Sequence, residues 1–246
     1  MEKTKFLLQD ILSSLEDDYK VTDICTCVYW TAVTSLRCGL ASTMAASILP
    51  SQEHQVEYAG HLLPTGAKEL ARLSLSSRTL EAAIGIAAIN SMLPIDESLC
   101  IDLNAEAEIR ANGKGKRIAI IGHFPFVKRL GAVAKELWTF ELPGRAQHGD
   151  FSGKEIETLL PQAEVVGISS TTLINHTLGG LLDLIAPGAY KMMLGPSTPL
   201  SPVLFDYGLD VLSGSIVVDR DQLLTCISQG ANFRQVRGVK KVIVKR

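Results

Sequence analysis

Three short clusters hold side chains that could bind or transform a small polar ligand. Gly122-His123-Phe124-Pro125, Ser169-Ser170-Thr171-Thr172 (leading on to Asn175) and Gly195-Pro196-Ser197-Thr198-Pro199 each follow an apolar run. Such loops offer free backbone amides, hydroxyls and one imidazole. That chemistry suits a small anionic or hydrogen-bonding molecule, with His123 as acid, base or ligand. Glu141 follows Gly122 by 19 residues, the position from which an acid at the next strand end can reach a ribose. Gly122 stands alone, however, and the bulky His123, Phe124 and Pro125 crowd the turn where a dinucleotide fingerprint needs three glycines. Thr172 and Thr198 read as helix caps, the latter with Pro199 at the first helical position.

Other chemistries find less support. His54, His61, His123, His148 and His176 show neither HxH nor HExxH zinc spacing, and no GxSxG elbow exists for an acyl-enzyme. Cys25 and Cys27 lie on one strand face and could bind a soft metal, but no second cysteine pair supports them, so buried structural thiols are the simpler reading. Glu81 falls in the first turn of a helix, where the macrodipole alone favours a carboxylate. Asn90 lies about 180° away around that helix, so the helix cannot aim both at one ligand directly.

The elements that must position these residues fall into two halves. Phe6, Leu7, Ile11, Leu12 and Leu15 line one face of a helix over residues 3–17, and residues 21–36 read as a strand or hairpin. Pro64 precedes a short helix, and Ser76-Ser77 opens a second whose Ala82, Gly85 and Ala88 make a thin face for close packing, equally suited to a domain core or a subunit contact. Residues 112–116 read as a polar connector. Beyond it, strands are expected at 117–122, 137–142, 164–169, 190–194, 209–213 and 216–218. Helices are expected at 127–136, from a capping box at 152–155 to 160, at 173–185, near 199–206 and after Asp219. Uniformly apolar strands separated by helices predict a parallel sheet covered on both faces. The fold class is therefore α/β, with a small α+β domain over 1–110 and a Rossmann-like domain over 113–246.

Composition bounds the rest. The 246 residues are 46% hydrophobic and 20% charged, ordinary for a globular chain. Lys+Arg 24 against Asp+Glu 26 leaves no basic excess for nucleic acid. The longest charge-free stretch, 165–182, is too polar to span a membrane, and the N-terminus reads as no signal peptide. Five cysteines, an odd number, fit reduced thiols and a cytoplasmic location.

Several motifs together point to a family. Thr31-Ala32-Val33, residues 37–43 (RCGLAST) and residues 81–90 (EAAIGIAAIN) resemble the N-terminal domain of the "putative heavy-metal chelation" family. Residues 122–125 (GHFP), 171–175 (TTLIN) and 195–200 (GPSTPL) resemble its C-terminal domain. The resemblance implies an enolase N-terminal-like domain joined to a Rossmann-like one, with a site in the cleft between them. It carries no enolase barrel, hence no enolase magnesium site.

The expectation is a protein that binds a small anionic or metal-chelating ligand in that cleft, in the handling or synthesis of a metal chelate. Gly122, Phe124, Glu141, Thr171, Thr172, Asn175, Gly195, Ser197 and Thr198 would hold the ligand or a cofactor, and Asn90 the substrate. Glu81 and His123 are the candidate acid–base groups or ligands to a divalent transition metal. Two rival readings stand beside it: an enzyme using a nucleoside-containing cosubstrate such as S-adenosylmethionine, with Glu141 on the ribose, and a non-catalytic metal-binding protein. A homo-oligomer is compatible with each.

Overall fold

The computed structural model describes residues 2–44, 55–101, 104–141, 149–151 and 154–246. His54, His148 and the first half of the expected capping box, Ser152-Gly153, lie outside them.

Helix α1 (Glu2–Ser13) buries Leu7 and Ile11 of the expected stripe together with Leu8, while Phe6, expected on that face, is exposed. A three-stranded antiparallel sheet follows, β1 (Asp23–Thr26), β2 (Trp30–Thr34) and β3 (Cys38–Ser42), in the order β1-β2-β3. The expected hairpin is β1–β2. Strand β3 went unpredicted: CGLAS has little β propensity, and pairing with β2 together with close approach to a helix imposes its conformation. That approach requires Gly39, where a β-carbon would stand 2.1 Å from the carbonyl oxygen of Ala87.

Helix α2 (Ala67–Ala71) continues as a 3-10 turn, Arg72–Leu75, and α3 (Thr79–Met92) runs through the core with nearly every side chain buried. At Gly85 a β-carbon would overlap the amide nitrogen of Ser74 at 1.9 Å. The thin face of α3 therefore packs inside this chain.

Helix α4 (Ala105–Gly113), unpredicted, takes in the first two residues of the expected connector at 112–116. The Asn104 side chain caps it by accepting from the Glu106 amide. Then come β4 (Arg117–Ile121), α5 (Val127–Leu130), β5 (Glu136–Phe140), α6 (Lys154–Leu159), β6 (Val165–Ser169), α7 (Thr171–Ile174), α8 (Leu178–Leu184), β7 (Tyr190–Leu194), α9 (Val203–Asp206), β8 (Val211–Val217), α10 (Arg220–Ser228) and β9 (Val239–Lys245). Asp219 caps α10 as expected. The six strands order as β5-β4-β6-β7-β8-β9, all neighbours parallel except β8–β9. Along β4, Ile118 and Ile120 pack toward α4 and α5, while Ala119 and Ile121 join the core on the other face, the period-two alternation of a sheet buried on both sides.

Four expectations change. The helix expected at 127–136 stops at Leu130, because Gly115 donates to Val133 and Lys135 to Lys116, drawing the chain into register with β4. The helix expected at 173–185 breaks at His176, whose φ of 56° lies in the left-handed region, with Asn175 Oδ1 accepting from the Thr177 amide and hydroxyl. The two short strands expected at 209–218 are one strand, β8. Strand β9, unpredicted, lies antiparallel to β8 along its length.

The two layers interlock. One face of the small sheet, through Trp30, Ala32, Cys38 and Leu40, packs against Leu223 and Ile227 of α10. Its other face meets α3, and one continuous apolar core joins α1 and α3 to the parallel sheet. On α1, Thr4 donates to the His176 carbonyl at 3.0 Å and accepts from the Gly179 amide at 2.7 Å. No helix among the described residues is long and apolar enough to cross a membrane.

Candidate functional site

Strands β5 and β6 flank β4, so the chain reverses direction across the sheet between the loops after β4 and β6. Ligands of open α/β sheets bind beyond the carboxyl ends of the strands at such a switch point. There a cavity of about 1090 Å³ opens, lined by the ends of β4, β6, β7 and β8, by Trp30 and Ser42 of the small sheet, and by Met44 just beyond it.

Backbone geometry makes room for it. Gly122 (φ 99°) and Gly195 (φ 120°) adopt conformations that disfavour a β-carbon. Each also faces the β6 loop, where a β-carbon would come within 2.9 Å of Ser169 Cβ and of Ser170 Oγ respectively. Gly122, His123, Phe124, Glu141, Thr171, Thr172, Asn175 and Gly195 all line the cavity, so eight of the residues named from sequence are brought together.

The remaining four lie elsewhere. Ser197 and Thr198 are buried behind the lining. Ser197 Oγ accepts from the Ser42 amide at 2.8 Å and holds the β7 loop against the end of β3. Asn90 works at the same seam, donating to the carbonyls of Leu40 (2.9 Å) and Ser197 (3.4 Å). Glu81 accepts from the Glu57 amide (2.8 Å), Arg78 (3.0 Å) and the Ser76 hydroxyl. Burial alone would raise its carboxyl, but these bonds outweigh burial and hold it below the ordinary carboxylate range. Neither expected threonine caps a helix. Thr172 Oγ1 donates to the Ser169 carbonyl at 2.7 Å, and Thr198 Oγ1 reaches the carbonyls of Gly195 (2.7 Å) and Ser213 (2.9 Å). Helix α9 begins at Val203, well beyond Pro199.

His123 is the chemical centre. Its Nδ1 lies 3.1 Å from Glu141 Oε2 and its Nε2 lies 3.1 Å from Asp150 Oδ2. A carboxylate only accepts, so both contacts become hydrogen bonds when both ring nitrogens carry protons. Asp150 escaped the sequence reading because a long-range pairing places it: Phe151 bridges Phe140, donating to the Thr139 carbonyl at 2.8 Å.

Two further features had no signal in the sequence. At one end of the cavity Arg129 grips Glu106 with two nitrogens, and these bonds hold the Glu106 carboxyl below its ordinary range. At another, Trp30 and Phe233 meet with ring centroids 5.4 Å apart, and Lys241 Nζ sits 4.9 Å from the Phe233 centroid, near Arg234. The lining thus mixes hydroxyls and loop amides with cations and aromatic faces.

Among the described residues no three His, Cys, Asp or Glu side chains converge to hold a bare metal ion. Both ring nitrogens of His123 already face carboxylates. A metal in the cavity would need further donors from a bound molecule.

Comparison with solved structures supports the fold. A crystal structure of a protein of unknown function from Desulfitobacterium hafniense superposes with a TM-score of 0.84 at 24% identity, covering 100% of this chain and 99% of that one. Another protein of unknown function, from Pyrococcus horikoshii, gives 0.78 at 21% identity, covering 100% of both chains. An uncharacterized protein of Methanocaldococcus jannaschii is 27% identical over 252 residues, 98% of this chain and 95% of its own length. Two family models, each described as "Putative heavy-metal chelation", match residues 8–93 and 104–245, dividing just before α4. With nearly its whole length matched, the chain belongs to that family.

Proposed function

We propose that this chain binds a small anionic, metal-chelating organic ligand in the cavity at the strand ends, and serves in the handling or synthesis of a metal chelate. The observation that carries the reading is the cavity's composition. It offers hydroxyls, loop amides and cations to an anion, and the His123–Glu141–Asp150 cluster to a polar or metal-bearing group, yet too few converging donors for a bare ion. A heavy metal there would bring donors of its own. The Arg234 and Lys241 side chains would face carboxylates of the ligand, and His123 would exchange a proton with it or, with one ring nitrogen turned from its carboxylate, bind its metal.

The test is a thermal-shift screen of chelator-stripped protein against divalent metals alone, citrate-type polycarboxylates, their metal complexes, and adenosyl and nicotinamide compounds. A ligand at 100 times its dissociation constant stabilises by about 2.7 kcal/mol, a shift of several degrees at this size. Stabilisation by a chelator or its metal complex, lost in His123→Ala and Asp150→Ala, supports the reading. Stabilisation by bare metal alone, unchanged in both variants, refutes it.

A second reading, a nucleoside-containing cosubstrate such as S-adenosylmethionine, rests on the stacked rings of Phe124 and Phe126 and on Glu141 at the end of β5. It requires Glu141 to serve a ribose while held by His123. A response to adenosyl compounds that Glu141→Ala abolishes favours it over the first.

A further inference from the structure

Cys25 and Cys27 take no part in the cavity site. They stand two residues apart at the end of β1, so their side chains leave the same face of the small sheet, with Sγ atoms 3.2 Å apart. Their backbone is held by β2: Cys25 is in register with Ala32, and the Cys27 amide donates to the Trp30 carbonyl at 2.8 Å, closing the hairpin. Both are free and half-buried, so a small reagent reaches them. Burial, then the hydrogen bond with Cys25, pushes the Cys27 thiol up to about 12, so Cys27 keeps its proton until something replaces it.

The number of the sulfurs and their closeness narrow the class of occupant. With metal–thiolate bonds of about 2.3 Å, a tetrahedral ion holds two sulfurs about 3.8 Å apart, a linear one about 4.6 Å, and a right-angled pair about 3.3 Å. The observed 3.2 Å matches the last. Trivalent arsenic and antimony are thiophilic and pyramidal, with bond angles near a right angle, and hold the third position with a non-protein group. A third protein donor is then unnecessary, in keeping with a donor set that among the described residues never reaches three. Cys38, on the same sheet face, is the buried neighbour that does not join them.

We propose that Cys25 and Cys27 form a two-thiol chelation site for trivalent metalloids of the arsenic(III) class, separate from the cavity. With an organoarsenic dihydroxide, two As–S bonds form and two As–O bonds break. The two thiol protons leave with the hydroxyl oxygens as two waters. Arsenic stays trivalent, and no oxidant is consumed.

The experiment adds one equivalent of phenylarsine oxide to phosphine-reduced full-length protein, then counts free thiols and measures intact mass. Two of the five thiols should disappear with gain of one phenylarsenic adduct. The adduct should persist in excess monothiol and be released by a dithiol competitor. Cys25→Ser and Cys27→Ser should each weaken retention at least tenfold, while Cys38→Ser and Cys100→Ser retain the adduct. Should a serine variant fail to fold, peptide mapping of the wild-type adduct to residues 21–30 decides the same point. The proposal is overturned if the adduct maps elsewhere, survives in Cys25→Ser, or is replaced by loss of two hydrogens, the mark of a disulfide.

Discussion

Ser197 joins the two layers at the cavity: its Oγ accepts the backbone amide of Ser42 at 2.8 Å and approaches the Ser42 hydroxyl at 3.1 Å. Ser197 is fully buried, so Ser197→Ala leaves the half-buried Ser42 amide without this acceptor. The expected cost is about 1–3 kcal/mol, read as a fall of several degrees in the melt. The end of β3 should also exchange its amide protons faster than the centre of β2. Uniform exchange across both strands would show that the seam does not depend on this bond.

Glu81 is predicted to act on stability rather than on the ligand. It ties Arg78, the Ser76 hydroxyl and the Glu57 amide to the start of α3, and it does not line the cavity. Glu81→Gln should lose about 1–3 kcal/mol without ligand. Because the native carboxyl lies below its unfolded value, its contribution is full above about pH 4.3 and is lost as pH falls through the lower native value. Acid melts of the variant should therefore be flatter in that window. Loss of ligand response at unchanged melting temperature would instead place Glu81 in the chemistry.

The contrast between Glu81 and His123 shows what a sequence of this kind discloses. Strands β4, β6 and β7 announce themselves as apolar runs ending in Gly or Ser, so His123, Thr171 and Gly195 could be placed at strand ends and do meet at one cavity. Asp150 could not, because a bridge between Phe140 and Phe151 brings it in. Nor could the role of Glu81, whose partners include a loop amide 24 residues earlier. Strand β9 (VKKVIVK) lacks a clean alternation and exists as a strand through β8, while β3 exists through β2 and the glycine that lets α3 approach. Local pattern reveals elements whose burial is nearly uniform; elements completed by a distant partner stay hidden.

His176 should make the fold sensitive to mild acid. Burial, the dominant cause, lowers its imidazole against the opposing pull of the Ser74 carbonyl, which lies 2.7 Å from Nε2. A histidine kept neutral in the fold gains a proton on unfolding below about pH 6.5, so the unfolded state binds more protons and stability falls as pH drops from there toward the native value. His176→Asn tolerates the left-handed backbone and removes the titrating group. Melting temperature followed from about pH 7.5 to 5.5 should slope downward in the wild type and lie flatter in the variant. Parallel slopes would exclude His176 as the source.

Two glycines separate backbone strain from placement of the site. Gly115 and Gly122 both have positive φ, but a β-carbon on Gly115 meets nothing within 4 Å, whereas on Gly122 it presses on Ser169. Gly115→Ala should cost about 1–2 kcal/mol, the price of a left-handed alanine, and leave the cavity as it is. Gly122→Ala adds the contact with β6, which must displace the turn that carries His123 away from Glu141 and Asp150. The His123 ring signals in a proton–nitrogen spectrum should therefore move in Gly122→Ala and stay fixed in Gly115→Ala. If they move equally in both, the turn is coupled to the whole of β4, and the close approach of Gly122 to β6 is not what sets the imidazole between its two carboxylates.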